Sequence, residues 1–326
     1  MNTLGTLKTS DLGLGCMGMS GAYGAADRDE SIATVHAALD AGITLLDTGD
    51  FYGMGHNELL LAEALRGVPR ESYQLSVKFG AQVGAGGAMV GFDGRPVAVT
   101  TALAYSLQRL GTDYVDIYRP ARLDPVVPIE DTIGAVGELV DAGYVRHIGL
   151  SEVGSETIRR AAAVRPIGDL QIEYSLADRG IERDILGTCR ELGIGITAYG
   201  VLSRGLISGH WSKTSGGQGD FRVHAPRFSG DNLDRNLALV EALRGVADEL
   251  GITVAQAAIA WVAARGDDVV PLVGAKTRVR LAESLGAVGV ELSAGQLAKI
   301  EAAVPVGQIS GTRYPAEHMA ALDSER

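Results

Sequence analysis

One pattern recurs eight times along this chain and leaves little choice of fold: a short apolar run followed by an amphipathic segment. The runs are LGLGCM (12–17), ITLL (43–46), YQLSV (73–77), YVDIY (114–118), YVRHIGL (144–150), DLQIE (169–173), IGITAY (194–199) and DVVPLV (268–273). Continuous apolar runs of this length suit strands covered on both faces. The segment after the first run shows the helical logic. Asp27 can cap, Glu30 sits three residues later, Ile32, Val35 and Leu39 share a face, and Gly42 ends the turn. Strands that alternate with helices must pair in parallel, and closing the sheet removes its edges. The expected class is therefore α/β, a single (β/α)8 TIM barrel with the residues before 12 as an N-terminal cap. An open doubly wound sheet is disfavoured, because no Gly-x-Gly-x-x-Gly follows a strand with an acidic residue downstream.

Two glycine-containing inserts interrupt the repeat, GAQVGAGGAMVGFDGRP (80–96) and HWSKTSGGQGDFRVHAPRFSGDN (210–232). The first lacks the Gly-Lys-Ser/Thr ending of a phosphate loop and reads as a mobile lid over the barrel mouth. Neither resembles a linker, so residues 1–326 are expected to form one domain. A hydrophobic content of 46% over 326 residues supports one large core. The net charge of −11 argues against nucleic acid or an anionic membrane as principal partner. Cys16 and Cys189 are too few for a disulfide framework, and no apolar signal segment or membrane-length run is present. A cytoplasmic protein is expected, and no feature of the sequence sets its oligomeric state. The six histidines show no metal-ligand spacing.

Three polar residues point to chemistry. Asp47, Tyr52 and Lys78, in TLLDTGDFYG and LSVKFG, lie near expected strand ends. A phenol titrates near about 10, so acid catalysis at neutral pH needs a cation beside it, itself held by a carboxylate. On residue chemistry alone the trio stays ambiguous, since Lys–Asp pairs at strand ends are commonly structural and most tyrosines simply pack.

Resemblance sharpens the reading. The segments LGLGCMGMSGAYG, GITLLDTGDFYG, VKFG, YVRHIGLSEV, LQIEYSLADR, ITAYGVLSRGLISG and DDVVPLVGAK resemble, in order, landmarks of the aldo-keto reductases. GLSEV, RFSGDNLDRN and GTRYPAEHM are most similar to the subgroup of plant perakine reductase and bacterial ketone reductases. The resemblance implies an NADP(H)-dependent reductase of a small carbonyl compound. Tyr52 resembles the proton donor, Lys78 the residue that lowers its pKa, and Asp47 the carboxylate holding the lysine. Ser151 and Gln171 resemble the clamps on the nicotinamide carboxamide, with Glu152 replacing the usual asparagine beside them, and Tyr199 resembles the ring stacked on the nicotinamide. Met17 lies in the loop after the first strand, at the cofactor side. Leu202, Arg204 and Gly205 are similar to the pyrophosphate turn. Gly274, Lys276, Arg278 and Arg280 lead into a helix and resemble the 2′-phosphate site that favours NADPH, with Glu283 at an adenine contact.

One departure stands out. Where the family pattern places a catalytic histidine after the fourth strand, this chain has Ala121, in DIYRPARLD (116–124). Three readings follow: Tyr52 works alone or with a water, Arg122 or Arg119 replaces the lost donor, or the chain has become a cofactor-binding sensor or interaction subunit with weak catalysis. We favour the first, and expect the vacated volume to admit a bulky ketone. An aldolase using Lys78 as a Schiff base would leave the cofactor motifs without purpose.

Overall fold

The computed structural model describes residues 1–217 and 219–326. All eight expected strands form: β1 Gly13–Gly15, β2 Leu45–Gly49, β3 Gln74–Phe79, β4 Val115–Pro120, β5 Val145–Ser151, β6 Ile167–Glu173, β7 Gly195–Tyr199 and β8 Val269–Gly274. Each pairs in parallel with its neighbours in chain order, and β8 closes on β1 through Leu272 opposite Gly13 and Gly274 opposite Gly15. Gly13 permits that closure. A Cβ there would lie 2.9 Å from Leu272 Cδ1 and 3.1 Å from Leu45 Cδ2.

Helices cover the outside. Arg28–Asp40 (α1), His56–Ala64 (α2), Pro96–Leu110 (α3), Ile129–Asp141 (α4), Ser155–Val164 (α5) and Ile185–Glu191 (α6) follow the first six strands. Gly230–Leu250 (α7) and Val254–Ala263 (α8) precede β8, and Arg278–Leu285 (α9), Ala294–Ala303 (α10) and Ala316–Ala320 (α11) follow it. Asp27 caps α1 as expected, accepting from the Glu30 amide at 2.7 Å. Glu30 does not complete a capping box. Its carboxylate instead takes the backbone and side chain of Arg278 across the closing seam.

The amino end of the barrel is plugged by the hairpin Asn2–Leu4 and Leu7–Thr9, whose Leu4 packs with Leu45, Ile117 and Val270. Catalytic side chains are thereby left to the opposite end. The insert at 80–96 forms a second hairpin, Ala81–Val83 with Met89–Phe92. The insert at 210–232 carries the short turns Phe221–His224 and Pro226–Phe228, and its Asp220 bridges to Tyr23 in the loop after β1. Gln218, within that insert, lies outside the described residues. Among the described residues no single helix is long and apolar enough to cross a membrane.

Several strands run further than their apolar runs. β2 extends to Gly49, β3 to Phe79 and β4 to Pro120, so Asp47 and Lys78 lie within strands and not after them. Polar residues can extend a barrel strand when they satisfy one another inside it, and these do.

Candidate active site

Asp47 is the hub of the catalytic sector. Its Oδ1 is ion-paired with Lys78 Nζ, and its Oδ2 accepts from Ser76 Oγ at 2.8 Å and Gln171 Nε2 at 2.7 Å. β2, β3 and β6 thus fix one carboxylate from three directions. Lys78 Nζ lies 5.3 Å from the centroid of the Tyr52 ring, which sits just past β2 and is 9% exposed. The expected trio is assembled.

The Tyr52 phenol is pushed well above its usual value, first by burial and then by the Asp47 charge. Lys78 is itself pulled down by burial, against the Asp47 charge that raises it. Arg122 works in the opposite direction, favouring phenolate at Tyr52.

Around Ala121 the two candidate arginines separate. Arg119 is fully buried beneath the mouth, paired with Asp169 Oδ2 at 2.5 Å and donating to Ser76 Oγ at 2.8 Å. It cannot meet a substrate. Arg122 is at the mouth: its Nη1 folds back to the Ala121 carbonyl at 2.6 Å and approaches Ser151 Oγ at 3.4 Å. Ala121 is only 2% exposed, so the alanine opens no empty volume beside the site.

Glu152 departs from its expected role. It sits at positive φ (53°) just after β5, a conformation that suits asparagine better than glutamate. Its carboxylate is fully buried and spent on the chain itself: Arg313 Nη1 and Nη2 at 2.8 and 2.7 Å, Tyr199 Oη at 2.7 Å, Ser324 Oγ at 2.7 Å and the Glu173 amide at 3.0 Å. Burial pushes this carboxyl up, but the Arg313 and Arg122 charges overcome that and hold it down at about 2. Glu152 therefore anchors the C-terminal tail and leaves no oxygen free for a carboxamide. Sequence reasoning missed this anchor, because Arg313 stands 161 residues away.

The tail brings a second unexpected residue. Tyr314 Oη is 3.3 Å from Tyr199 Oη, and Arg204 lies over its ring at 4.5 Å. Burial raises the Tyr314 phenol, yet Arg204 and Arg122 hold it below its usual value. GTRYPAEHM was the only sequence signal of its presence.

The remaining candidates trace a groove from β5 to α9. Ser151 and Gln171 end β5 and β6, and Gln171 Oε1 accepts no hydrogen bond from a described residue. Ser203, Arg204 and Gly205 form a left-handed turn after β7 (φ 45°, 57° and 97°), with Leu202 before it and the Arg204 guanidinium paired to Glu173 at 2.9 Å. Gly274 ends β8. Lys276 Nζ donates to the Tyr23 and Ala25 carbonyls at 3.1 and 2.8 Å. Arg278 pairs with Glu30 at 2.8 Å and Arg280 with Glu283 at 3.1 Å, while Glu283 also binds His210. Met17, half-buried, begins the turn Met17–Ser20 after β1.

A family model described as the aldo/keto reductase family matches residues 11–305. The chain belongs to the aldo/keto reductases. A probable aldo-keto reductase 1 of Glycine max is 42% identical over 314 residues, covering 95% of this chain and 90% of that protein. Among solved structures, a glycerol dehydrogenase of Gluconobacter oxydans superposes with a TM-score of 0.85 at 28% identity, covering 95% of this chain and 98% of that one. An aldo/keto reductase of Klebsiella pneumoniae, in complex with NADP and acetate, gives 0.74 at 27% identity over 96% and 99% of the two chains.

A nicotinamide dinucleotide fits the aldo/keto reductase groove described above. The free Gln171 Oε1 and the Ser151 hydroxyl suit an amide, the Tyr199 ring suits a flat heterocycle, and the cations of Lys276, Arg278 and Arg280 suit a phosphate. Arg278 is more than half and Arg280 half exposed, so their pairs with Glu30 and Glu283 are weak enough to exchange.

Proposed function

We propose that this aldo/keto reductase reduces an aldehyde or ketone to the alcohol at the expense of NADPH, with Tyr52 as the proton donor. The observation that carries the reading is the Asp47–Lys78 pair set 5.3 Å from the Tyr52 ring at the carboxyl end of the barrel, beside the free amide oxygen of Gln171.

When bound, the dihydronicotinamide supplies a hydride. Ser151 and Gln171 would hold its carboxamide, Tyr199 its face, the turn at Ser203–Gly205 its pyrophosphate, and Lys276, Arg278 and Arg280 its 2′-phosphate. Tyr52 gives its phenolic proton to the carbonyl oxygen. Asp47 keeps Lys78 charged inside the barrel, and Lys78 in turn supports the phenolate that Tyr52 leaves. Nearby Ser76 and Gln171 fix the Asp47 carboxylate so that this geometry costs no reorganisation during reaction.

The absence of an imidazole at Ala121 removes one oxyanion donor, an effect of a few kcal/mol (about 2.7–4) for a single such donor. Small unactivated aldehydes should turn over slowly. Ala121 is nearly fully buried, so room for a bulky ketone there requires the residues around it to move.

NADPH absorbance followed against a panel of aldehydes and ketones, with NADH alongside, tests the reading. Carbonyl-dependent oxidation of NADPH, faster than that of NADH, supports it. No carbonyl-dependent oxidation of either cofactor by the intact chain sinks it.

A further inference from the structure

The cations at the barrel mouth do not share one fate. Lys78 is paired with Asp47, Arg204 with Glu173, and Arg313 with Glu152 and Glu325. Arg122 has no carboxylate within ion-pair distance among the described residues, and only its Nη1 finds partners, the Ala121 carbonyl and the Ser151 hydroxyl. Its Nε and Nη2 have no acceptor in the described chain, yet neither is sealed away from solvent. The guanidinium acts electrostatically on the phenols of Tyr52, Tyr199 and Tyr314.

A half-buried guanidinium without a counter-ion in contact is costly to keep. Here the backbone makes the cost hard to avoid, because the short hydrogen bond to Ala121 folds the side chain inward over the end of β4. Burial works against the Arg122 charge, but the negative charge that Tyr199, Tyr314 and Glu152 can carry outweighs it, so the group stays protonated. A planar fork with two free donors matches a carboxylate better than it matches a single carbonyl oxygen.

We propose that Arg122 is a specificity-determining residue that binds a carboxylate on the substrate, so that the preferred substrates are carbonyl acids with the carboxylate next to the reacting carbon, such as 2-oxo acids. The inference rests on the carbonyl-reductase reading above and names the substrate class of that same site. The hydride with its electron pair goes to the carbonyl carbon of the acid, the Tyr52 proton goes to the carbonyl oxygen, and the products are a 2-hydroxy acid and NADP+. Arg122 directly follows Ala121, the position at which the family pattern has its histidine.

Phenylglyoxylate and its methyl ester differ by one charge and test this directly. With wild type and Arg122→Gln, kcat and KM are measured for both probes with NADPH. Oxamate, which carries the carboxylate but is not reduced, is titrated calorimetrically with and without NADP+. The proposal expects wild type to prefer the acid, and Arg122→Gln to lower the acid-to-ester ratio of kcat/KM by roughly 10- to 150-fold, the range for a charge-assisted hydrogen bond, mostly through KM. Oxamate affinity should fall in the same range, and Arg122→Lys, which keeps the charge without the fork, should recover part of both losses. A wild type that prefers the ester, or a ratio and an oxamate affinity unchanged in Arg122→Gln, overturns it. Should neither probe nor any neutral aldehyde oxidise NADPH while oxamate binding still depends on Arg122, the reductase reading fails and the anion site stands.

Discussion

The two sides of the barrel mouth solve one problem, holding charge in a low-dielectric cleft, by different means. On the β2–β3 side a single carboxylate, Asp47, matches a single ammonium, Lys78, from 31 residues along the chain. On the β5–β7 side Glu152 and Glu173 are matched by Arg313, Arg204 and Arg227, the first reaching back from the tail. A lone pair leaves its cation close to the reacting phenol, where small shifts in protonation matter. A network fixes position instead, and the tail becomes part of the wall of the cleft. The difference assigns chemistry to one side and architecture to the other.

Breaking the pair should therefore cost activity. Lys78→Met leaves Asp47 buried without its cation and Tyr52 without support, and reduction should fall by about 10²–10⁴-fold, measured as kcat/KM with NADPH. A loss below tenfold would remove Lys78 from the chemistry.

Breaking the network should cost stability first. Arg313→Ala strands the fully buried Glu152, and removal of one partner from such an ion pair typically costs about 3–5 kcal/mol. Urea unfolding should show that loss. A change under about 1 kcal/mol would mean that the tail is held by other contacts.

A third variant sharpens the contrast, because Asp50 sits on the catalytic side without a cation in contact. Its Oδ1 is buried and unpartnered, and burial followed by the Glu58 charge raises its carboxyl to about 7. A carboxyl raised on folding stabilises the fold fully only below its unfolded value near 4, and that contribution is lost as pH rises toward 7. Asp50→Asn should therefore stabilise the protein at pH 8, by on the order of 2–4 kcal/mol at most, and the gain should vanish near pH 4. Thermal unfolding at the two pH values reads it. A gain that is the same at both would put the effect elsewhere.

The smallest effect concerns the outer groove. Arg280 is half exposed and already paired with Glu283, so Arg280→Gln should weaken NADPH by only about 1 kcal/mol while scarcely moving NADH. Equal losses for both cofactors would place the 2′-phosphate away from α9.

What the sequence made legible follows the same division. Period and apolar runs placed all eight strands, because a barrel strand buried on both faces must be apolar for most of its length. Strand ends were misread where polar residues continue the ladder, as at Asp47 and Lys78, since periodicity has no term for side chains that satisfy one another inside a barrel. The trio of Asp47, Tyr52 and Lys78 was readable because its members sit in two short motifs. Arg313 was not. Its partner is 161 residues distant, and nothing local marks an arginine that will be buried. Arg122 lay between these cases: the motif exposed the missing histidine, but only the fold showed which neighbouring arginine turns inward and which, Arg119, is locked to Asp169 below.

The central claim is that Tyr52 delivers the proton, and Tyr52→Phe tests it with almost no change in volume. NADPH affinity, followed by quenching of tryptophan fluorescence, should stay within about twofold, while single-turnover reduction of a carbonyl substrate should fall by at least about 10²-fold. Full binding with unchanged turnover would contradict the account, because the proton would then come from another group.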